Sequence, residues 1–274
     1  MRSKIGFTSK TFAPFLARGL CSLDDLVRWA AEIGFDWMEL RDSRADSEPK
    51  ELERLKRVAA QSGLLLHYAW DGTNVLDRGD RELFTRGLAK AGIFGEGVYS
   101  RITIAGKVIK DSKLKVGYSR GEYDEICRIL AVYIREAAAA GVSLVFENSH
   151  EPIVGDGATY WGIQELLDGV PSMRLAFDPA NALNEAGVHM RLGWSDMLAF
   201  YRKNGGRIPY SHIKSIRGGK ILHELMITET AERECLRCIM REVAYGCLEL
   251  PEFENFDLCR ETLIGARRAL SDLS

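Results

Sequence analysis

The chain lacks a long apolar run, a surplus of positive charge and any dense cluster of histidine or cysteine, and each shortage removes a class of function. Nowhere in its 274 residues do the ~18 consecutive apolar residues of a membrane span occur, so no membrane role is expected. The formal net charge is −2, which supplies no basic footprint for nucleic acid or for an anionic membrane. The N-terminal stretch MRSKIGFTSKTFAPFL has neither an uninterrupted apolar core nor a small-residue cleavage site, so a secretory signal is not expected. Six cysteines (Cys21, Cys127, Cys235, Cys238, Cys247 and Cys259) are scattered through a chain too long to need disulfide staples. Reduced thiols in a cytoplasmic protein are therefore expected. Cys235 and Cys238 form a C-x-x-C, but they fall inside the helical pattern ECLRCIMREVA and no second pair completes a metal set. Linker-like, low-complexity and short-period repeat segments are missing too, so residues 1–274 are read as one domain.

What is present is an ordinary globular balance, 46% hydrophobic and 28% charged, with ample length for a sizeable core. Helix-period and strand-period segments alternate along it. Ser22 and Asp25 read as a capping box opening LVRWAAEIGF, whose Leu26, Ala30 and Ile33 share a face, and DWMELRD follows as a strand. Ser47 and Pro49 precede a helix carrying Leu52, Leu55, Val58 and Ala59 on one face, followed by LLLHYAWD. RELFTRGLAKAG precedes RITIAG, the least distinct pair. EYDEICRILAVYIREAAAAG precedes VSLVFE, and WGIQELLDG precedes MRLAFDPAN. WSDMLAFYRKNGG then precedes IPYSHIKS, ECLRCIMREVAYG precedes CLELPEF, and CRETLIGARRALSDL ends the chain. Gly34, Gly63, Gly141, Gly169 and Gly246 punctuate the helix-to-strand passages. With KIGFTS first, eight strand–helix units result. Alternation implies parallel pairing, and eight units in about 250 residues predict an α/β fold of the (β/α)8 barrel kind, with its active site at the C-terminal ends of the strands. A doubly wound open sheet is the competing architecture, weakened by the lack of a Gly-rich fingerprint after the first strand.

The strand ends carry the functional signal. Strand five ends in Glu147, strand six in Asp178, strand seven carries His212 with Lys214 two residues on, and strand eight ends in Glu249. Singly, each reads as a cap, a turn or a structural polar residue. Four residues able to ligate a divalent metal on four consecutive strand ends, which converge on one rim of a closed barrel, make a site the better reading.

Together the segments AAEIGFDWMELR, VFEN, FDPAN, HIKS and LELP resemble the sugar-phosphate isomerase/epimerase superfamily, the xylose isomerase-like TIM barrels. That group includes tagatose/psicose 3-epimerases, inosose dehydratases and type IV AP endonucleases. The resemblance spans nearly the whole chain and is most specific from Gly141 to Glu252. It implies one divalent metal ion held by Glu147, Asp178, His212 and Glu249. Oxygen-rich ligands lean to Mn²⁺ or Mg²⁺, with Co²⁺ and Zn²⁺ left open by the one histidine. It also makes Glu39 the family's second-strand acid and puts His67 where relatives often contact substrate. Asn181 stands where relatives usually have a histidine three residues after the strand-six Asp, and the family's Gly-Glu-Gly-Asp-like loop is not recognisable after strand seven.

The expected activity is isomerisation or epimerisation of a sugar or sugar derivative by proton transfer beside a carbonyl, through a metal-stabilised enediolate. Glu147 and Glu249 are the expected base and acid. Lys214, Asn181, His67, Arg217, Trp70, Asn148 and His150 are the candidate substrate contacts. A keto-sugar or inosose dehydratase is the runner-up, then a catalytically silent sugar-binding barrel. AP endonuclease activity ranks last because phosphate-gripping basic charge is lacking. The expected partner is a small sugar, with neither nucleic acid nor membrane. Relatives often form dimers or tetramers, so a homo-oligomer is among the expectations.

Overall fold

The computed structural model describes residues 3–71, 73–77, 80–104, 117–149, 151–156, 158, 160–183, 191–218 and 220–273. Eight strands form a closed barrel: β1 (Lys4–Thr8), β2 (Trp37–Asp42), β3 (Leu65–Trp70), β4 (Tyr99–Thr103), β5 (Ser143–Glu147), β6 (Leu175–Phe177), β7 (Tyr210–Ile213) and β8 (Tyr245–Leu248). Every neighbouring pair is parallel, and β8 closes onto β1 with Cys247 opposite Gly6. Helices α1 (Leu23–Glu32), α2 (Pro49–Gln61), α3 (Asp80–Phe94), α4 (Arg120–Ala139), α5 (Ile163–Gly169), α6 (Trp194–Asn204), α7 (Thr230–Glu242) and α8 (Phe256–Ser271) separate or follow the strands. This is the α/β barrel the alternation predicts. Among the described residues no helix is long and apolar enough to cross a membrane.

Local chemistry explains the units. At the start of α1, Ser22 Oγ accepts from Asp25 N while the Asp25 carboxylate accepts from Ser22 N, so two orphan donors are satisfied reciprocally. Leu26, Val27, Trp29 and Ala30 then face the core. Gly34, Gly63 and Gly141 end their helices with φ of +84°, +71° and +69°, a region that costs a residue with a Cβ. Gly169 and Gly246 serve closeness instead: a Cβ would lie 2.3 Å from the Tyr123 hydroxyl at one and 2.7 Å from Met240 Sδ at the other.

Three details depart from the sequence expectation. Strand β4 begins at Tyr99, so Arg101 sits mid-strand rather than at its start. A short helix, Ala13–Ala17, follows β1. A two-stranded antiparallel ribbon, Ile216–Arg217 with Lys220–Ile221, follows β7.

The alternation of side chains along each strand creates two cores. Outward residues pack with the helices into the larger one. Trp70 belongs there: it is fully buried, and its ring lies where a Cβ on Gly87 of α3 would come within 2.3 Å. Inward residues Trp37, Val145, Ala176, Tyr210 and Cys247 fill the barrel itself. All six cysteines are free, and Cys235 is buried on α7 with its thiol pushed up to about 12 by burial, an inert setting.

Candidate active site

The C-terminal mouth of the barrel gathers the four strand-end residues. Glu147 ends β5, Asp178 and Glu249 directly follow β6 and β8, and His212 lies on β7. One ligand atom from each lies within 4.8 Å of all the others, and all four residues are buried. His212 Nδ1 stands 2.7 Å from Glu147 Oε1, 3.3 Å from Glu249 Oε2 and 3.9 Å from Asp178 Oδ2. Asp178 also caps the short helix Pro179–Ala182, its Oδ1 accepting from Asn181 N at 2.8 Å, which leaves Oδ2 for the cluster. The residue that caps this turn is thus also a member of the strand-end cluster.

Asn148 and Asn181 brace this arrangement from behind. Asn148 donates from Nδ2 to the Asp178 carbonyl at 2.7 Å and accepts from Asp178 N at 2.8 Å. Asn181 donates from Nδ2 to the Asn148 carbonyl at 3.0 Å. The ends of β5 and β6 are thereby held in fixed relation.

Glu39, one step deeper on β2, orients the imidazole. Its Oε2 lies 3.1 Å from His212 Nε2, accepts from Tyr210 Oη at 2.5 Å and accepts from Arg101 Nε at 3.0 Å. A carboxylate on the far nitrogen of a ligating histidine fixes ring and tautomer, leaving Nδ1 to face the cluster. Glu39, His212 and Cys247 also come close enough to suggest a second ligand group. The partners already on Glu39 Oε2 and the sharing of His212 with the main set argue against a separate centre.

Two arginines and a lysine lie among the acids. Arg101, 1% exposed, donates to Glu147 Oε2 at 2.5 Å as well as to Glu39, and its Nη2 lies 3.5 Å from Asp71. Arg41 reaches Glu39, Asp71 and Glu249 at 3.1, 2.6 and 3.1 Å. Lys214 Nζ lies 2.6 Å from Glu249 Oε2 and 2.7 Å from Asp178 Oδ2, the latter contact without hydrogen-bond alignment. Lys10, half exposed, stands at the rim 3.6 Å from Glu249. Burial alone would raise the Glu147 carboxyl, but Arg101 and His212 outweigh it and hold it at about 2. Glu249 and Glu39 are likewise held well below the usual range against burial, by Lys214 and His212 in one case and by Arg101 and Arg41 in the other. Asp178 goes the other way: burial raises it by more than Lys214 lowers it, and Glu249 and Glu147 add to the rise. His212 is raised well above its ordinary value, burial being overcome by Glu147 and Glu39.

These residues fit a divalent ion. Donor separations of about 3–4 Å are what bonds of ~2.0–2.2 Å around one centre require. Apart from the half-exposed Lys10 at the rim, five carboxylates (Glu39, Asp71, Glu147, Asp178 and Glu249) meet three permanent cations (Arg41, Arg101 and Lys214), which leaves an excess of two negative charges when His212 is neutral. One divalent cation would balance them. Three carboxylates and one imidazole suit a hard or borderline ion.

The remaining expected contacts lie elsewhere. His67 is 1% exposed, deeper in the barrel, with ring centroids 4.6 Å from Trp37 and 4.3 Å from Tyr245. Trp70 faces α3 rather than the mouth. Arg217 ties the loop after β7 to α7, with Nη2 2.8 Å from the buried Glu232 and 2.6 Å from Thr228 Oγ1. His150 lies outside the described residues. Sequence reasoning missed Arg41, Arg101 and Asp71. The available signal was parity: Arg41 follows Glu39 by two on one strand, so both face inward.

Residues 27–235 match the xylose isomerase-like TIM barrel family, and the chain belongs to it. A D-psicose 3-epimerase from Clostridium cellulolyticum H10, solved with D-tagatose, superposes with a TM-score of 0.72 over 98% of this chain and 99% of its own, at 11% identity. A D-allulose 3-epimerase from Methylomonas sp., solved with D-allulose, gives 0.66 over 100% and 98%, at 15% identity. A xylose isomerase-like TIM barrel protein from Mycobacterium smegmatis, solved with magnesium, gives 0.59 over 91% and 88%, at 15% identity. No curated protein matches the chain by sequence.

Proposed function

We propose that the chain is a divalent-metal-dependent isomerase or epimerase of a sugar or sugar derivative, moving a proton on a carbon beside a carbonyl. The observation that carries this is the buried set of one imidazole and three carboxylates from four consecutive strand ends, all donor atoms within 4.8 Å. Solved neighbours named for ketose epimerisation, one crystallised with D-tagatose and one with D-allulose, support a ketose-like substrate. A bound divalent ion, Mn²⁺ or Mg²⁺ for preference, supplies Lewis-acid polarisation of the carbonyl and stabilises the negative charge that develops on its oxygen.

The chain's own residues divide the remaining work. A general base must be ionised before substrate arrives, and the cations around Glu147 and Glu249 ensure that. Those cations also lower basicity, so a substrate must take over some of their hydrogen bonds before either carboxylate accepts a proton. Arg101 is almost fully enclosed and holds Glu147 Oε2 at 2.5 Å, whereas Arg41, with 9% side-chain exposure, holds Glu249 Oε1 at 3.1 Å beside the rim acid Asp71. Glu147 is thus held by the enclosed Arg101, and Glu249 by Arg41 and Lys214, so the two carboxylates depend on different cations for their ionisation. Lys214 and Arg41 donate to substrate oxygens.

The test is incorporation of solvent deuterium into a panel of ketoses in the presence of Mn²⁺. Glu147→Gln and Glu249→Gln are each expected to lower exchange by roughly 10²–10⁴. Full activity in both variants, on a substrate the unmodified protein turns over, refutes the assignment. A keto-sugar dehydratase is the second reading, favoured by one observation: Lys214 brings an ammonium donor into the site, able to protonate a departing hydroxyl. Product mass separates the two, unchanged for an epimer and lower by one water for the lyase.

A further inference from the structure

We infer that Lys214 is a built-in rival of the divalent ion, a tethered cation that occupies oxygens of two of the three ligand carboxylates and sets how tightly the ion is held. This rests on the metal-dependent reading above. The two oxygens nearest Lys214 Nζ, Glu249 Oε2 at 2.6 Å and Asp178 Oδ2 at 2.7 Å, are the same two atoms that face His212 Nδ1 at 3.3 and 3.9 Å. An ion bound to those oxygens at ~2.1 Å would lie no more than about 5 Å from Nζ by the geometry of the shared bonds. Two cations that close in a buried site weaken each other's binding.

The surroundings leave the ammonium few other places. Lys214 is 4% exposed and directly follows β7, so its stem is committed to the barrel mouth. Asp178 accepts no aligned hydrogen bond at Oδ2, so the ammonium satisfies that oxygen by charge more than by direction. Such a contact is readily exchanged for a metal bond. When the ion enters, Nζ is pushed away from one or both oxygens and toward the open mouth, where substrate oxygens become its acceptors. Metal loading and substrate contact by Lys214 are thereby coupled. Arg101 does not play this part, because its acceptors are Glu147 Oε2 and Glu39, not the oxygens turned to His212 Nδ1.

The experiment uses the full chain, stripped with chelator and titrated with Mn²⁺ by calorimetry. Lys214→Met is expected to bind Mn²⁺ about tenfold or more tightly than the unmodified protein, the size of an ordinary coupling between two sites. Metal-free Lys214→Met should melt below metal-free unmodified protein, and saturating Mn²⁺ should close the gap. Equal or weaker Mn²⁺ binding by a folded Lys214→Met overturns the inference. If that variant does not fold without metal, Lys214→Gln is purified with Mn²⁺ and its chelator-driven release followed. Slower release than from the unmodified protein supports the rivalry, and equal or faster release overturns it. Asp178→Asn separates the two readings. Mn²⁺ binding lost in that variant but unchanged in Lys214→Met removes only the role of Lys214. Absence of Mn²⁺ binding in every form removes the metal-dependent reading as well.

Discussion

The two ends of the barrel interior are built from the same strands yet obey opposite rules. At the N-terminal floor, Trp37, Tyr210 and Tyr245 fill space with rings, Trp37 and Tyr210 having centroids 5.2 Å apart. Two residues further along those strands the inward positions become Glu39, His212 and Cys247, and beyond them lie Arg41, Lys214 and Glu249. Each strand thus runs from ring to charge within two to four residues. The contrast shows most clearly at the two buried histidines. His212 has acids on both nitrogens and is drawn toward the protonated form. His67, with neither nitrogen hydrogen-bonded, is held neutral, its pKa lowered to about 3 chiefly by burial, with Glu39 opposing too weakly. Charge at the mouth is tolerated because it is paired; at the floor it has no partner.

Three perturbations would break or sharpen this contrast. The largest effect is expected from Arg101→Leu, which leaves Glu39 and Glu147 buried without their shared cation. Removing one member of a buried ionic group costs about 3–5 kcal/mol, to be read from urea unfolding at pH 7. Adding Glu147→Gln to that variant should recover part of the loss, whereas adding Trp37→Phe at the floor should not.

Next comes Gly6→Ala on β1. A Cβ there would come within 2.4 Å of the Trp37 ring and 2.5 Å of the Trp37 carbonyl oxygen, and the backbone cannot step aside as a side chain can. A loss of about 3 kcal/mol is expected from such overpacking at the floor. Mn²⁺ affinity should change little, because the mouth lies further along the strands.

The smallest effect separates the two histidines by pH. His67 has a folded pKa of about 3 against an ordinary 6.5, so the unfolded chain binds the extra proton between those values. Its contribution is fully present above pH 6.5 and is lost progressively as pH falls toward 3, at about 1.4 kcal/mol per unit. At pH 5 that amounts to about 2 kcal/mol. Unfolding measured at pH 7.5 and pH 5 should show His67→Phe losing less stability than the unmodified protein by about that amount. An identical pH dependence would mean that His67 is not held neutral.

The fold is legible in the sequence because its signals are local. Capping at Ser22, helix-ending glycines at 34, 63 and 141, and the regular alternation of periods each report on a few neighbouring residues. The cluster of four strand-end residues is legible for a related reason. One strand ending in a metal-competent residue is commonplace, but the same ending on four neighbouring parallel strands places four metal-competent residues on a single rim. Arg101 is hidden, because the apolar pattern of RITIAG starts at that residue and masks its inward parity within β4. Trp70 and His67 both read as pocket residues, yet three positions apart on one strand they must face opposite sides.

By itself the sequence determined the order of elements, their parallel pairing and which residue types stand at the strand ends, because periodicity and turn chemistry act over short stretches. Only the tertiary structure decided which charges meet. Arg101 joins β4 to acids on β2 and β5, and Lys214 joins the end of β7 to acids beyond β6 and β8. Those pairings depend on the register and closure of the barrel, and burial then sets how strongly each charge is felt.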